Sequence, residues 1–356
     1  MARPADHVIV GAGTAGCVLA GRLSEDPDVR VTLIEAGGRG KHPNITIPVA
    51  FAKQFRTKLD WDFATEPEPH CDNRSLYIPR GKGLGGSSNM NAMLYVRGRG
   101  LEYDQWEAQG AEGWGWDALQ PYFQRAAEQS PIERPRSPRK MTARIIAAVQ
   151  NAGVPYCADY NGPEQDGVSW VQVFQKAGRR WSAADAYLRP AMSRPNLEVV
   201  TKKLVTGLEL EGTRVTGVKL AGGEVVRAAR EVIVAAGAIG SPQLLMLSGI
   251  GPAAHLREVG VPVAHDLPGV GENLQDHPFL TCVWESSEPD SLYGADRPKP
   301  LLEWLLRRTG PLTSSVGEAF AFVRNRPGLP AADLQFHLAQ AYFVEQGNEE
   351  FDGHAM

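Results

Sequence analysis

The sequence predicts an α/β protein, with a parallel sheet that takes an antiparallel β-meander, followed by α+β elements of a second domain. Three observations carry that prediction. "HVIVGAGTAGCVLAGRLSED" (7–26) runs an apolar strand through a glycine turn into a helical pattern, and "VRVTLIEAGG" (29–38) follows as a second strand. Residues 197–236 change period to alternation, with turn signals at Glu211–Thr213 and Ala221–Gly223. Beyond Pro278 a helical "PLLEWLLRRTG" precedes strand-like "GEAFAFVR" and "ADLQFHLAQAYFV", which predict a second sheet.

The first unit is a strand–helix–strand crossover with parallel strands, the start of a Rossmann-like fold. Residues 41–79 turn irregular, with prolines at 43, 48, 67, 69 and 79, and read as an excursion over a surface or a site. The stretch "GKGLGGSSNMNAMLYVRGR" (81–99) holds five glycines, too many for a helix, among too many apolar residues for a linker. Trp106, Trp114, Trp116, Tyr122 and Phe123 recur at helical spacing and are expected to pack a core or a domain interface. "MTARIIAAVQNAG" (141–153) is a helix stopped at Gly153. The meander returns through an apolar strand at Val232–Ala236.

Composition narrows the function. The 356 residues carry 37 basic and 41 acidic side chains, a balance that gives no electrostatic case for nucleic acid or a membrane surface. Apolar runs such as Leu244–Leu247 are too short to cross a bilayer. Cys17, Cys71, Cys157 and Cys282 lack redox or metal spacing, and a strand begins almost at the N-terminus. A cytoplasmic protein with reduced thiols and no metal is expected.

"GAGTAG" places Gly11, Gly13 and Gly16 between strand and helix. Gly11 permits the tight turn, Gly13 lets a pyrophosphate approach the backbone, and Gly16 lets helix and strand pack. Thr14 and Ala15 open the helix, whose free N–H groups and dipole favour phosphate. Glu35, followed by Ala36, ends the second strand, where a carboxylate accepts hydrogen bonds from ribose hydroxyls. Together these predict dinucleotide binding, by FAD or NAD. Three features favour a flavin: the meander, the strand-to-turn "VIVAAGAIGSPQLL" around Ala236 and Gly237, and the glycine-rich stretch.

With these residues in place, the sequence resembles the glucose-methanol-choline (GMC) FAD oxidoreductases, in their choline and alcohol dehydrogenase branch. "PRGKGLGGSSNMNAMLYVRGRGLEYDQW" (79–106) and "GAIGSPQLLMLSGIGP" (237–252) resemble the two family signatures, and "GRRWSAADAYLRPA" and "GVGENLQDHP" resemble further family blocks. The resemblance implies FAD, oxidation of an alcohol carbon with hydride transfer to flavin N5, and a quinone-type acceptor or oxygen. Oligomeric state is left open. The implied division is an FAD-binding domain at 1–110 and 196–285, with an incomplete α+β substrate domain at 111–195 and 286–356.

By the same resemblance, Gly85, Gly86, Ser87, Asn91, Ala92, Met93 and Leu94 line the flavin and its diphosphate, and Val205 contacts the adenine end. Ser87 and Ser88 equally suit turn capping, and Asn91 a local backbone hydrogen bond. Family members that tether FAD covalently have histidine where this chain has Met90, which implies a dissociable, non-covalent flavin. The family's catalytic histidine and its His or Asn partner belong to blocks expected after the end of this sequence, so no catalytic residue is assigned, and a flavin-binding protein without turnover is the rival reading. The connection near Ser130–Arg136 also lacks a glycine-rich segment expected there. Glu318 and His337 are candidates for the substrate side, with a paired glutamate and a packed histidine as the plainer alternatives. His277 matches a different family element, and His354 stands near the chain end.

Overall fold

A computed structural model describes residues 4–344 and 351–356. In chain order, its main elements begin with β1 (Ala5–Val10), α1 (Thr14–Leu23), β2 (Val31–Glu35), α2 (Gly100–Ala108), α3 (Trp116–Gln129), α4 (Lys140–Asn151) and β3 (Gly167–Trp170). There follow β4 (Leu197–Thr201), β5 (Val205–Glu211), β6 (Arg214–Leu220), β7 (Val225–Val234), α5 (Gly237–Leu247), α6 (Pro298–Arg307), β8 (Gly317–Val323) and β9 (Leu334–Ala339). Two compact units result: Met1–His42, Gln54–Met90 and Ser182–Phe279 form the first, and Pro43–Lys53, Asn91–Trp181 and Leu280–Met356 the second.

The first unit is built on a six-stranded sheet in the order β4-β2-β1-β7-β6-β5. β1 runs parallel to both β2 and β7, and β2 parallel to β4. β7 joins two sheet types in one strand. Val225–Arg227 pair antiparallel with β6, and the following residues pair parallel with β1 as far as Val10↔Val234. The expected strand at Val232–Ala236 therefore begins earlier and stops at Val234. Alternation sorts the core onto two faces: Ile9 and Leu33 pack with Cys17 and Ala20, and Val8, Val10 and Ile34 pack with Leu208, Val218 and Leu244. Burying each of the valine, leucine and isoleucine side chains contributes about 1.5–3 kcal/mol.

Cys17 is fully buried and its thiol donates to the Ala12 carbonyl at 3.2 Å. Burial pushes its pKa up to about 12, so the reactive thiolate is absent at neutral pH. Cys282 is exposed. A thiol reagent at pH 8 is expected to label Cys282 within minutes and Cys17 only after denaturation. Labelling of Cys17 at the rate of Cys282, read by peptide mass spectrometry, would contradict this burial.

The second unit holds a three-stranded antiparallel sheet, β9-β8-β3. Phe320 and Phe322 on one face of β8 pack against Tyr160, Val171 and Val173. Ala319 and Ala321 on the other meet Ile146 of α4. α4 stops as its sequence requires, with Gly153 at φ 96° just past its end. The aromatic cluster differs from expectation. Trp106, Trp116 and Phe123 contact one another through Tyr103, but α2 and α3 bury no residue, and Trp106, Trp114 and Tyr122 are 49%, 53% and 64% exposed. Ring–ring contacts supply the helical spacing there, without a buried core beneath.

Candidate cofactor site

The carboxyl ends of β1, β2 and β7 open into a cavity of about 830 Å³ in the first unit. That lies within the size range of cofactor pockets, at the end of a parallel sheet where such folds bind ligands. Gly11, Gly13, Thr14, Ala15, Glu35, Ala36, Gly86, Ser87, Val205, Ala236 and Gly237 all line it. The N-termini of α1 and α5 both reach this wall, so two sets of free backbone N–H groups stand around one space.

Three glycines divide the work. A Cβ on Gly16 would stand 1.9 Å from the Gly11 carbonyl oxygen, so Gly16 serves helix–turn packing and does not line the cavity. A Cβ on Gly86 would stand 2.6 Å from Gly13 Cα, which brings the glycine-rich stretch against the first turn. Gly13 itself would meet nothing within 4 Å. No protein atom requires a glycine there; the space its missing side chain leaves belongs to the cavity.

Glu35 is 6% exposed, and its two carboxylate oxygens accept from the Ala12 N–H at 2.9 Å and the Gly37 N–H at 2.8 Å. Each oxygen retains a lone pair for a further donor. Gly85, by contrast, donates its N–H to the Ala12 carbonyl at 2.8 Å and stays outside the wall. Ser88 caps the turn by donating to the Gly85 carbonyl, and Ser87 accepts from the Gly81 N–H.

Asn91, Ala92, Met93 and Leu94 belong to the second unit and are not in this wall. Asn91 Oδ1 accepts from the Met93 N–H at 3.1 Å and from Arg180 Nη1 at 2.8 Å. Glu318 is fully buried in that unit, and its carboxylate accepts from Ser314, Thr142 and the Arg139 N–H. His337 lies on β9 with its ring edge-on to Phe320 at 4.9 Å, and desolvation of the ring by its neighbours lowers its pKa, although the residue keeps an exposed face. His277 is exposed. His354, near the chain end, is held by Ser291 Oγ at 2.7 Å and by an edge contact with Tyr293. Among the described residues no cluster suits a metal ion.

Sequence reasoning missed part of the wall: Trp61, Phe63, Arg80, Lys203 and Leu247 also line the cavity. Trp61 and Phe63 stack at 5.8 Å, and Lys82 sits over the Trp61 ring at 4.4 Å. The aromatic pair in "DWDF" is the signal that the irregular excursion covers a site.

A parallel sheet, a glycine turn, and a buried acid at the end of the second strand define a Rossmann-like, dinucleotide-type fold. A profile of the GMC oxidoreductases matches residues 5–279. A GMC-type oxidoreductase of Mycobacterium tuberculosis is 43% identical over 99% of this chain and 70% of its own length. Mouse mitochondrial choline dehydrogenase is 40% identical over 96% of this chain and 62% of its own. Among solved structures, an FAD-dependent oxidoreductase from Chaetomium thermophilum superimposes with a TM-score of 0.80 at 28% identity, over 90% of this chain and 62% of that one. The chain thus spans 62–70% of the length of these three proteins. It belongs to the GMC oxidoreductase family.

Proposed function

We propose that this chain binds FAD non-covalently in the 830 Å³ cavity and serves the oxidation of a small alcohol, choline-like or primary. The observation that carries the reading is the vacant side-chain position at Gly13, in a wall shared by Glu35, the α1 N-terminus and Gly86–Ser87. In this reading Gly13, Thr14 and Ala15 face the diphosphate, Glu35 and Ala36 the adenosine ribose, Val205 the adenine, and Ala236 and Gly237 the isoalloxazine side, with Gly86 and Ser87 closing over the middle. Asn91, Ala92, Met93 and Leu94 are assigned to the flavin by family resemblance alone and are residues to test. Residues 1–110 and 196–285 then make the flavin domain, and 111–195 with 286–356 the substrate domain, where Glu318 and His337 are the residues to test.

FAD, when bound, supplies the hydride acceptor, and the chain's part is to bind, orient and polarise it. Backbone N–H groups at two helix ends and the carboxylate of Glu35 fit a group with a central diphosphate and a diol. Met90 offers a thioether and no imidazole for a covalent link, and is 4% exposed. The relatives' names support a choline-like alcohol as substrate. A quinone-type compound or oxygen takes the electrons onward, and the four free cysteines suit a reducing compartment such as the cytoplasm.

The test is direct. Purified protein titrated with FAD is expected to quench flavin fluorescence to a 1:1 endpoint, and acid precipitation to release all the flavin into the supernatant. Flavin retained in the pellet would overturn non-covalent binding, and NAD in place of FAD would overturn the flavin reading. A flavin-binding protein without turnover is the second reading, because among the described residues no histidine lines the cavity. Anaerobic bleaching of the 450 nm band by choline or a primary alcohol would decide against it.

A further inference from the structure

Arg80 is the feature of the cavity that neither the glycine turns nor Glu35 explains. Two cations stand in the wall, Arg80 and Lys203. Lys203 is paired with Glu224 at 3.1 Å. Arg80 has no carboxylate within ion-pair distance among the described residues, and its one side-chain hydrogen bond runs from Nη1 to the neighbouring Pro79 carbonyl at 2.8 Å. An arginine carries five N–H donors, so most of this fork is left for something else.

Its position is built. Asp60 is 5% exposed, and its Oδ1 accepts from the Arg80 N–H at 2.9 Å and the Asp62 N–H at 3.1 Å. Its Oδ2 accepts from the Arg56 N–H at 2.9 Å and from the Tyr77 hydroxyl. The Trp61 N–H in turn donates to the Arg80 carbonyl at 2.9 Å. A single buried carboxylate therefore fixes the backbone from which Arg80 projects. The adjoining Gly81 would place a Cβ 2.2 Å from the Gly86 carbonyl, and Gly86 in turn lies against Gly13. Two close backbone approaches, Gly81 to Gly86 and Gly86 to Gly13, thus link the segment that carries Arg80 to the turn before α1, in the same cavity wall.

We infer that Arg80 is the cation that holds the diphosphate of the bound dinucleotide, and that Asp60 is its positioning residue. The assignment rests on the dinucleotide reading above and adds its charge partner. A diphosphate brings about two negative charges into a wall whose other anionic group, Glu35, is itself buried. Helix N-termini alone offer partial charges, whereas a planar guanidinium offers a full charge and a fork matched to phosphate oxygens.

The experiment compares wild type, Arg80→Gln and Arg80→Lys for binding of FAD, ADP and adenosine by calorimetry, at 50 and 300 mM salt. Arg80→Gln is expected to weaken FAD and ADP at least about tenfold and to leave adenosine, which lacks phosphate, within about twofold. Arg80→Lys should recover part of the loss, and the salt dependence of ADP binding should be shallower in Arg80→Gln than in wild type. Equal loss for adenosine and ADP, or a fall in the melting temperature of unliganded Arg80→Gln without selective loss of ADP, would make Arg80 a scaffold residue and overturn the assignment. Wild type that binds FAD and ADP while Arg80→Gln binds both as tightly overturns the assignment alone. Wild type that binds neither overturns the dinucleotide reading, and the assignment with it.

Discussion

Gly16→Ala is expected to destabilise the first unit by about 3 kcal/mol, whereas Gly13→Ala leaves stability within about 0.5 kcal/mol. The added methyl at 16 would stand 1.9 Å from the Gly11 carbonyl oxygen, a backbone atom with no rotamer through which to yield. Relief requires shifting the turn or lifting α1 from the sheet. The methyl at 13 meets no protein atom within 4 Å, and Gly13 has φ −71°, which alanine adopts without strain. Its effect falls on the ligand: it occupies space where a diphosphate would approach, and FAD affinity should drop at least about tenfold. Urea unfolding of the unliganded variants and fluorescence titration with FAD read the two effects separately. Equal stability losses, or wild-type FAD affinity in Gly13→Ala, would show that the two glycines do not divide packing from binding in this way.

Asp60→Ala is expected to cost about 4 kcal/mol. The change leaves three backbone N–H groups and the Tyr77 hydroxyl without their acceptor, and each buried donor left unpaired costs about 1–3 kcal/mol. The sum is reduced because the surrounding positions are only partly buried and water reaches some of them. Asp60→Asn keeps one acceptor oxygen and should cost roughly half as much. The effect extends to the cavity, since Trp61, Phe63 and Arg80 stand on the segment that Asp60 ties together. FAD affinity should therefore fall in both variants, more steeply in Asp60→Ala. A loss below about 1 kcal/mol, measured by chemical denaturation, would mean that the segment is held by its other contacts.

Much of the first unit was legible because local rules and tertiary demands agree there. Gly11, Gly13 and Gly16 lie at the spacing that a strand, a tight turn and a helix require, and Glu35 ends the next strand on schedule. The turns at Gly212 and Gly222–Gly223, with φ of 63°, 103° and 90°, were equally open to reading, since positive φ favours glycine. Pattern reasoning failed where spacing has two causes. The aromatic run of α2 and α3 has helical periodicity, yet Tyr103, Trp116 and Phe123 contact one another only half-buried, and Trp106, Trp114 and Tyr122 are exposed.

The sequence by itself determined the fold class, the strand–turn–helix that faces the cavity, and the family to which the chain belongs. Those features are local: each depends on residues within one turn or one strand pair. Only the tertiary structure decided which small residues serve packing and which leave space. Gly16 and Gly13 are alike in sequence, and they differ because the Gly11 carbonyl lies beside one and open cavity beside the other. The same holds for Arg80, a charged residue in an irregular stretch whose meaning depends on Asp60, twenty residues away, and on contacts through Gly86 that no local pattern encodes.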